Sequence, residues 1–185
     1  FPAPHKFLTG PFRLLNNTHL NIEPGATILG SPDVSDYPLI DNLPSYPDDS
    51  DNSSPRYQSL IFATHAENIS LSGGGTVDGS GSAFWGAKLS YTRPQLLHFR
   101  YSKNIVVSSV TLQNSPFYTV HPYSSLNVTV DSVTIYNPVG ARNTDGIDPD
   151  SCTDVLVTNC TINTEDDHMS FKSGLGQPGV QYAWP

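Results

Sequence analysis

One short pattern recurs four times and leaves the chain few ways to fold. NISLSGGGTV opens at Asn68, NIVVSSVTL at Asn104, NVTVDSVTI at Asn127 and DVLVTNCTI at Asp154. Each reads Asn or Asp, apolar, any residue, apolar, two small or polar residues, a small or apolar residue, Thr and apolar. The starts are unevenly spaced, but each interval is near the length of one solenoid coil with an insertion of variable size.

A helix would set its apolar residues at i, i+3, i+4 and i+7. Here they fall at i+1, i+3, i+6 and i+8, which reads as a strand, a bend and a second strand, each with one buried face. Copies stacked in parallel would bury a continuous interior and pair every strand edge except those at the two ends. The expected fold is all-β, a right-handed parallel β-helix with almost no helix. It forms a single domain over residues 1–185 that is incomplete at its C-terminal end. Residues 31–57, rich in Pro, Asp and Ser, break the repeat and read as a surface loop insertion, either mobile or walling one end of a groove.

The 14 Gly and 16 Pro, with many Asn, Ser, Thr and Val, suit short strands and turns. No apolar run approaches the roughly 18 to 20 residues of a membrane span. Nine basic residues against 17 acidic ones, a net charge of -8, argue against nucleic acid or an anionic membrane as partner. An acidic substrate would need a local basic patch. Five N-x-[ST] sequons begin at Asn16, Asn52, Asn68, Asn127 and Asn159 and point to a secreted, extracellular glycoprotein. Phe1-Pro-Ala-Pro opens without Met or an apolar signal, so any targeting segment is expected to have been removed or to lie outside the chain. Cys152 and Cys160 leave open a disulfide, two buried thiols or, with no nearby His, half of a metal site. The repeat makes Val110, Val133 and Cys160 equivalent, which places Cys160 in an interior stack.

The charged residues then stand out. NTDGID runs from Asn143 and EDDHMS from Glu165, inside segments that otherwise alternate like strands. Aligning Asp145 with Asp167 superposes Ile147 on Met169. On adjacent coils about 4.8 Å apart, both side chains and that of Asp166 gather within roughly 10 Å. Glycoside hydrolysis needs one protonated carboxyl to donate to the leaving oxygen and an ionised one to activate water or attack, and mutual repulsion separates their pKa values. Asx-turns capping the bends would also use these residues, and so would a hard-oxygen calcium site. His121, Tyr118 and Tyr123, one coil earlier, are candidates to line a sugar subsite or to pack the bend. Tyr136 and Arg142 flank the loop into Asp145 and receive no assignment.

Asn143-Thr-Asp-Gly-Ile-Asp148, followed by Asp166-Asp167-His-Met-Ser-Phe-Lys-Ser-Gly174, resembles the first two signature motifs of the polygalacturonases and their relatives in glycoside hydrolase family 28. Gly73-Gly-Gly-Thr-Val-Asp-Gly79 with Trp85, Arg93-Pro94, and Asn114-Ser-Pro-Phe-Tyr-Thr-Val-His121 resemble further family segments, so the likeness covers most of the chain from about Ile61 onward. It implies a pectin-lyase-like β-helix that hydrolyses α-1,4-galacturonan with inversion, with Asp166 as general acid and Asp145 with Asp167 holding and activating water. Asn143, His168, Lys172 and His121 are the candidate substrate-binding residues. His168 stands where the family usually has Cys. The family's later GHG and RIK motifs, which supply a His and a basic pair for the uronate, find no match, so the chain is expected to be the N-terminal part of a longer enzyme.

The expected partner is the polysaccharide, met by a monomer with no nucleic acid or membrane, and no cofactor or metal is called for. A calcium-dependent pectate lyase on the same fold and a non-catalytic carbohydrate-binding solenoid are the alternatives, since fold alone does not choose among them.

Overall fold

A computed structural model describes residues 1–46 and 55–182. The sequon at Asn52, the middle of the 31–57 insertion and the C-terminal Pro185 lie outside the described residues. Three parallel sheets wind into a right-handed β-helix. One sheet stacks Lys6–Thr9, Thr27–Gly30, Thr76–Asp78, Thr111–Gln113, Thr134–Tyr136 and Thr161–Asn163. A second stacks Phe12–Arg13, Ile61–Thr64, Leu97–Arg100 and Val120–Tyr123, and a third stacks His19–Asn21, Glu67–Ser72, Lys103–Ser108, Leu126–Asp131 and Thr153–Thr158.

The register follows the repeat. Ile69, Ile105, Val128 and Val155 lie rung upon rung, as do Val77, Leu112, Ile135 and Ile162. These are the first and last apolar positions of the pattern, and each fully buried member contributes roughly 1.5–3 kcal/mol relative to exposure. Cys160 packs beside the same core, and both cysteines are free thiols. The single α-helix among the described residues, Gly176–Tyr182, lies outside the repeat.

The opening Asn or Asp of each copy bends the chain. Asn68, Asn104, Asn127 and Asp154, with Asn17 level with Asn68 on the coil before, take φ of 55 to 58°, the left-handed region that Asn and Asp tolerate better than other residues with a Cβ. The asparagine amides also bond along the axis. Asn68 Nδ2 donates to Asn17 Oδ1 at 3.0 Å, Asn104 to Asn68 at 2.8 Å and Asn127 to Asn104 at 2.9 Å.

The described parts of the insertion lie on the outward face of the second sheet. In that sheet Leu97, Phe99 and Val120 face the core, so His98, His121 and Tyr123 face out by strand alternation, yet all three are buried. Leu39–Ile40 pairs antiparallel with Arg56–Tyr57, and Tyr37, Leu43, Ser45 and Arg56 are buried. Ser45 Oγ meets the Tyr123 hydroxyl at 2.9 Å, the Tyr46 hydroxyl donates to Asp150 Oδ2 at 2.6 Å, and Leu175 N donates to the Ser45 carbonyl at 2.9 Å.

Candidate active site

Beyond Val120–Tyr123 the second sheet continues as two bridged rungs. Val120 pairs with Ile147 and Ile147 with Met169, while Tyr123 pairs with Asp150 and Asp150 with Lys172. That register puts Asp145 and Asp167 at equivalent positions, as the alignment of Ile147 with Met169 requires. Gly146 permits the close stacking: a Cβ there would sit 2.5 Å from the His168 carbonyl oxygen.

The loops entering these rungs are pinned from behind. Asn137 Nδ2 donates to Thr119 Oγ1 at 2.9 Å and to the Thr144 carbonyl at 3.0 Å, while its Oδ1 accepts from Ser115 N at 2.8 Å. Thr164 Oγ1 donates to the Thr144 carbonyl at 2.6 Å, which ties the loop before Asp145 to the loop before Asp166. Sequence reasoning passed over this threonine pair, although the repeated Asn143-Thr144 and Asn163-Thr164 steps before each acid were a usable signal.

One carboxylate oxygen from each of Asp145, Asp166 and Asp167 lies within 4.8 Å of the others. Asp145 is buried, Asp166 half-buried and Asp167 exposed. Asp166 Oδ2 accepts from the Asn143 backbone N–H at 2.9 Å, and its Oδ1 accepts from Asp167 N at 3.0 Å. Asn143 is itself left-handed, with φ of 56°, and half-buried, whereas the His168 side chain is exposed.

Lys172 turns its ammonium onto the acids. Its Nζ donates to Asp145 Oδ2 at 3.2 Å and to Ser170 Oγ at 3.1 Å, stands 3.9 Å from Asp148 Oδ2, and lies 4.4 Å above the Tyr118 ring. Burial and, more weakly, the Asp166 charge push the Asp145 carboxyl above its ordinary range, while Lys172 pulls it back. Asp148, an acid that sequence reasoning left without a role, is fully buried, and neither of its oxygens has a hydrogen-bond partner. Burial, reinforced by Asp145, pushes it up to about 9, so it stands as a neutral carboxyl at pH 7. Burial works against the Lys172 ammonium, but in the alkaline range where it titrates the ionised Asp148 and Asp145 outweigh that and hold it above its ordinary value.

His121 is fully buried under the insertion, where Gln95 Nε2 lies 2.8 Å from its Nδ1 and its Nε2 lies 3.2 Å from Asp150 Oδ2. It stacks face to face on His98 at 4.9 Å, and burial holds both rings below the ordinary histidine range. The structure therefore brings Asp145, Asp166, Asp167, Asn143 and Lys172 together, and sets His121 behind them as a support for Asp150.

A family model described as glycosyl hydrolases family 28 matches residues 45–181. The chain is 43% identical over 185 residues to a probable polygalacturonase of Vitis vinifera, covering 97% of this chain and 38% of that protein. It is 31% identical over 186 residues to an endo-polygalacturonase of Pectobacterium carotovorum subsp. carotovorum, covering 92% and 46%. Among solved structures, the exopolygalacturonase from Thermotoga maritima superposes with a TM-score of 0.82 at 27% identity, over 95% of this chain and 47% of that one. The chain thus spans less than half the length of each of these relatives.

Proposed function

The chain belongs to the glycosyl hydrolases of family 28, and on that premise we propose that it carries the acid cluster of an extracellular enzyme hydrolysing the α-1,4 bonds of galacturonan. The observation that carries this reading is the convergence of Asp145, Asp166 and Asp167, one oxygen from each within 4.8 Å of the others, at the positions matching the family motifs. Asp166 donates the proton to the leaving oxygen, and Asp145 with Asp167 grips and activates the water. Lys172 keeps Asp145 ionised for that task, and Asn143 and His168 contact the sugar. Two-acid enzymes with carboxyls about 5 Å apart usually retain the anomer. A third carboxylate lets two hold one water while the third donates, which supports inversion.

The substrate is then a polyanionic polysaccharide, met by a monomer that uses neither nucleic acid nor membrane. No helix among the described residues is long and apolar enough to cross a membrane. Asn16, Asn68, Asn127 and Asn159 are exposed, which suits a secreted glycoprotein.

The test uses the complete gene product on polygalacturonic acid in EDTA, with reducing ends and unsaturated uronides followed together. New reducing ends without unsaturation, abolished in Asp166→Asn, are expected, with the inverted anomer formed first by NMR. Ends that appear only with calcium, together with unsaturation, would establish the lyase instead. No ends under either condition would leave the binding solenoid.

A further inference from the structure

Lys172 is bonded to Asp145, and a second group of basic residues, Arg93 and Arg142, stands at the loop that leads into that acid. A depression of about 400 Å³ opens beside Asn143, the residue whose backbone N–H holds Asp166. It lies within the size range of small-ligand sites, about 300–1,000 Å³. Its walls include Trp85, Tyr91, Arg93, Phe117, Arg142 and Asn143. Two of the chain's nine basic residues therefore line one hollow beside Asn143, among aromatic rings of the kind that receive the apolar face of a sugar.

The local bonding separates the two arginines. Arg93 lies 5.2 Å over the Phe117 ring and its Nη2 donates to the Arg142 carbonyl at 2.6 Å, which fixes the loop. The Arg142 side chain is exposed and, among the described residues, makes no hydrogen bond or ion pair. Trp85 is half-buried, with its indole N–H donated to the Ser115 carbonyl at 2.9 Å, so its ring is held rigidly at the rim.

We propose that this depression is a uronate subsite in which Arg142 binds the sugar carboxylate, Trp85 and Tyr91 take the ring face, and Arg93 positions Arg142. The inference rests on the galacturonan reading above. A guanidinium matches a carboxylate with two parallel N–H bonds, and a methyl-esterified residue offers no charge to receive them. The occupant is therefore a galacturonate unit with a free carboxylate.

The experiment compares the complete gene product with its Arg142→Gln variant on de-esterified and highly methyl-esterified galacturonan oligomers. Arg142 is exposed and, among the described residues, its side chain holds nothing, so the variant is expected to fold. KM for the de-esterified oligomer should rise about tenfold, the factor given by losing roughly 1.4 kcal/mol, with kcat changed by less than about twofold and KM for the esterified oligomer unmoved. An unchanged KM on the de-esterified oligomer, or an equal rise on both substrates, would overturn the subsite. If the parent releases no reducing ends, the galacturonan hydrolase reading has failed instead. Calorimetric binding of galacturonate trimer to Asp166→Asn and to the Asp166→Asn, Arg142→Gln double variant then still reads the subsite: tighter binding to the single variant supports it, and equal binding rejects it.

Discussion

The substitution Lys172→Met would leave Asp145 with a buried carboxyl, the charge of Asp166 nearby and no counter-ion. The groups facing Asp145 are Lys172, Asp166 and Asp167 on the next rung, Asp148 on its own, and Tyr118 on the rung before, with His121 behind them against Asp150. Only Lys172 among them favours the ionised form. Without it the Asp145 carboxyl ionises at higher pH, so the acidic limb of kcat/KM should move upward by about one unit or more. Lys172→Arg should keep the limb near its original place. A raised KM with an unmoved limb would instead make Lys172 a substrate contact. Sequence alone could not orient this side chain, because a lysine on a strand reads as solvated. Its partners Asp145 and Asp148 belong to the preceding rung and meet it only through the register that pairs Asp150 with Lys172.

At the level of the coil, the asparagine column does two jobs that one substitution can separate. Asn104 both donates to Asn68 and accepts from Asn127, while its backbone sits at φ of 55°. Asn104→Ala loses both bonds and leaves a Cβ in the left-handed region, a cost of about 2 kcal/mol or more. That should read as a melting temperature lower by roughly 4–8 °C. Asn104→Gly loses the bonds but relieves the backbone, so its fall should be smaller. Equal falls would mean that the bonds alone matter. This element was legible because the repeat writes the bend residue and the apolar rungs into every copy. The insertion was legible only as an interruption. Nothing in its Pro, Asp and Ser composition says that Tyr46 reaches across to Asp150, or that Ser45 meets Tyr123. Likewise the depression beside Asn143 is built from loops far apart in the chain, and no local pattern joins them.

For the molecule as a whole, the insertion decides how much of the outward face a polymer can use. The rungs of His98, His121 and Tyr123 would extend a groove from the acids back along the axis, but they are buried, with Ser45 and Tyr46 bonded across them. On the proposed galacturonan hydrolase reading, a polymer approaching from that side meets a wall one rung from Asp145. Cleavage should therefore begin at a chain end. The first products resolved by chromatography should be mono- and disaccharides, with viscosity falling slowly relative to reducing ends. An early spread of long oligomers would show that the wall opens.

The parallel ladders, with the left-handed Asn column beside them, hold successive coils at one spacing however long each connecting loop is. The repeats that open at Asn68, Asn104, Asn127 and Asp154 are unevenly spaced, yet Ile69, Ile105, Val128 and Val155 still fall in line. Separation between the clustered acids is thus inherited from the pitch of the backbone, while the loops remain free to lengthen or shorten. A lineage can rebuild what the groove admits by editing those loops, with the three carboxylates left in place.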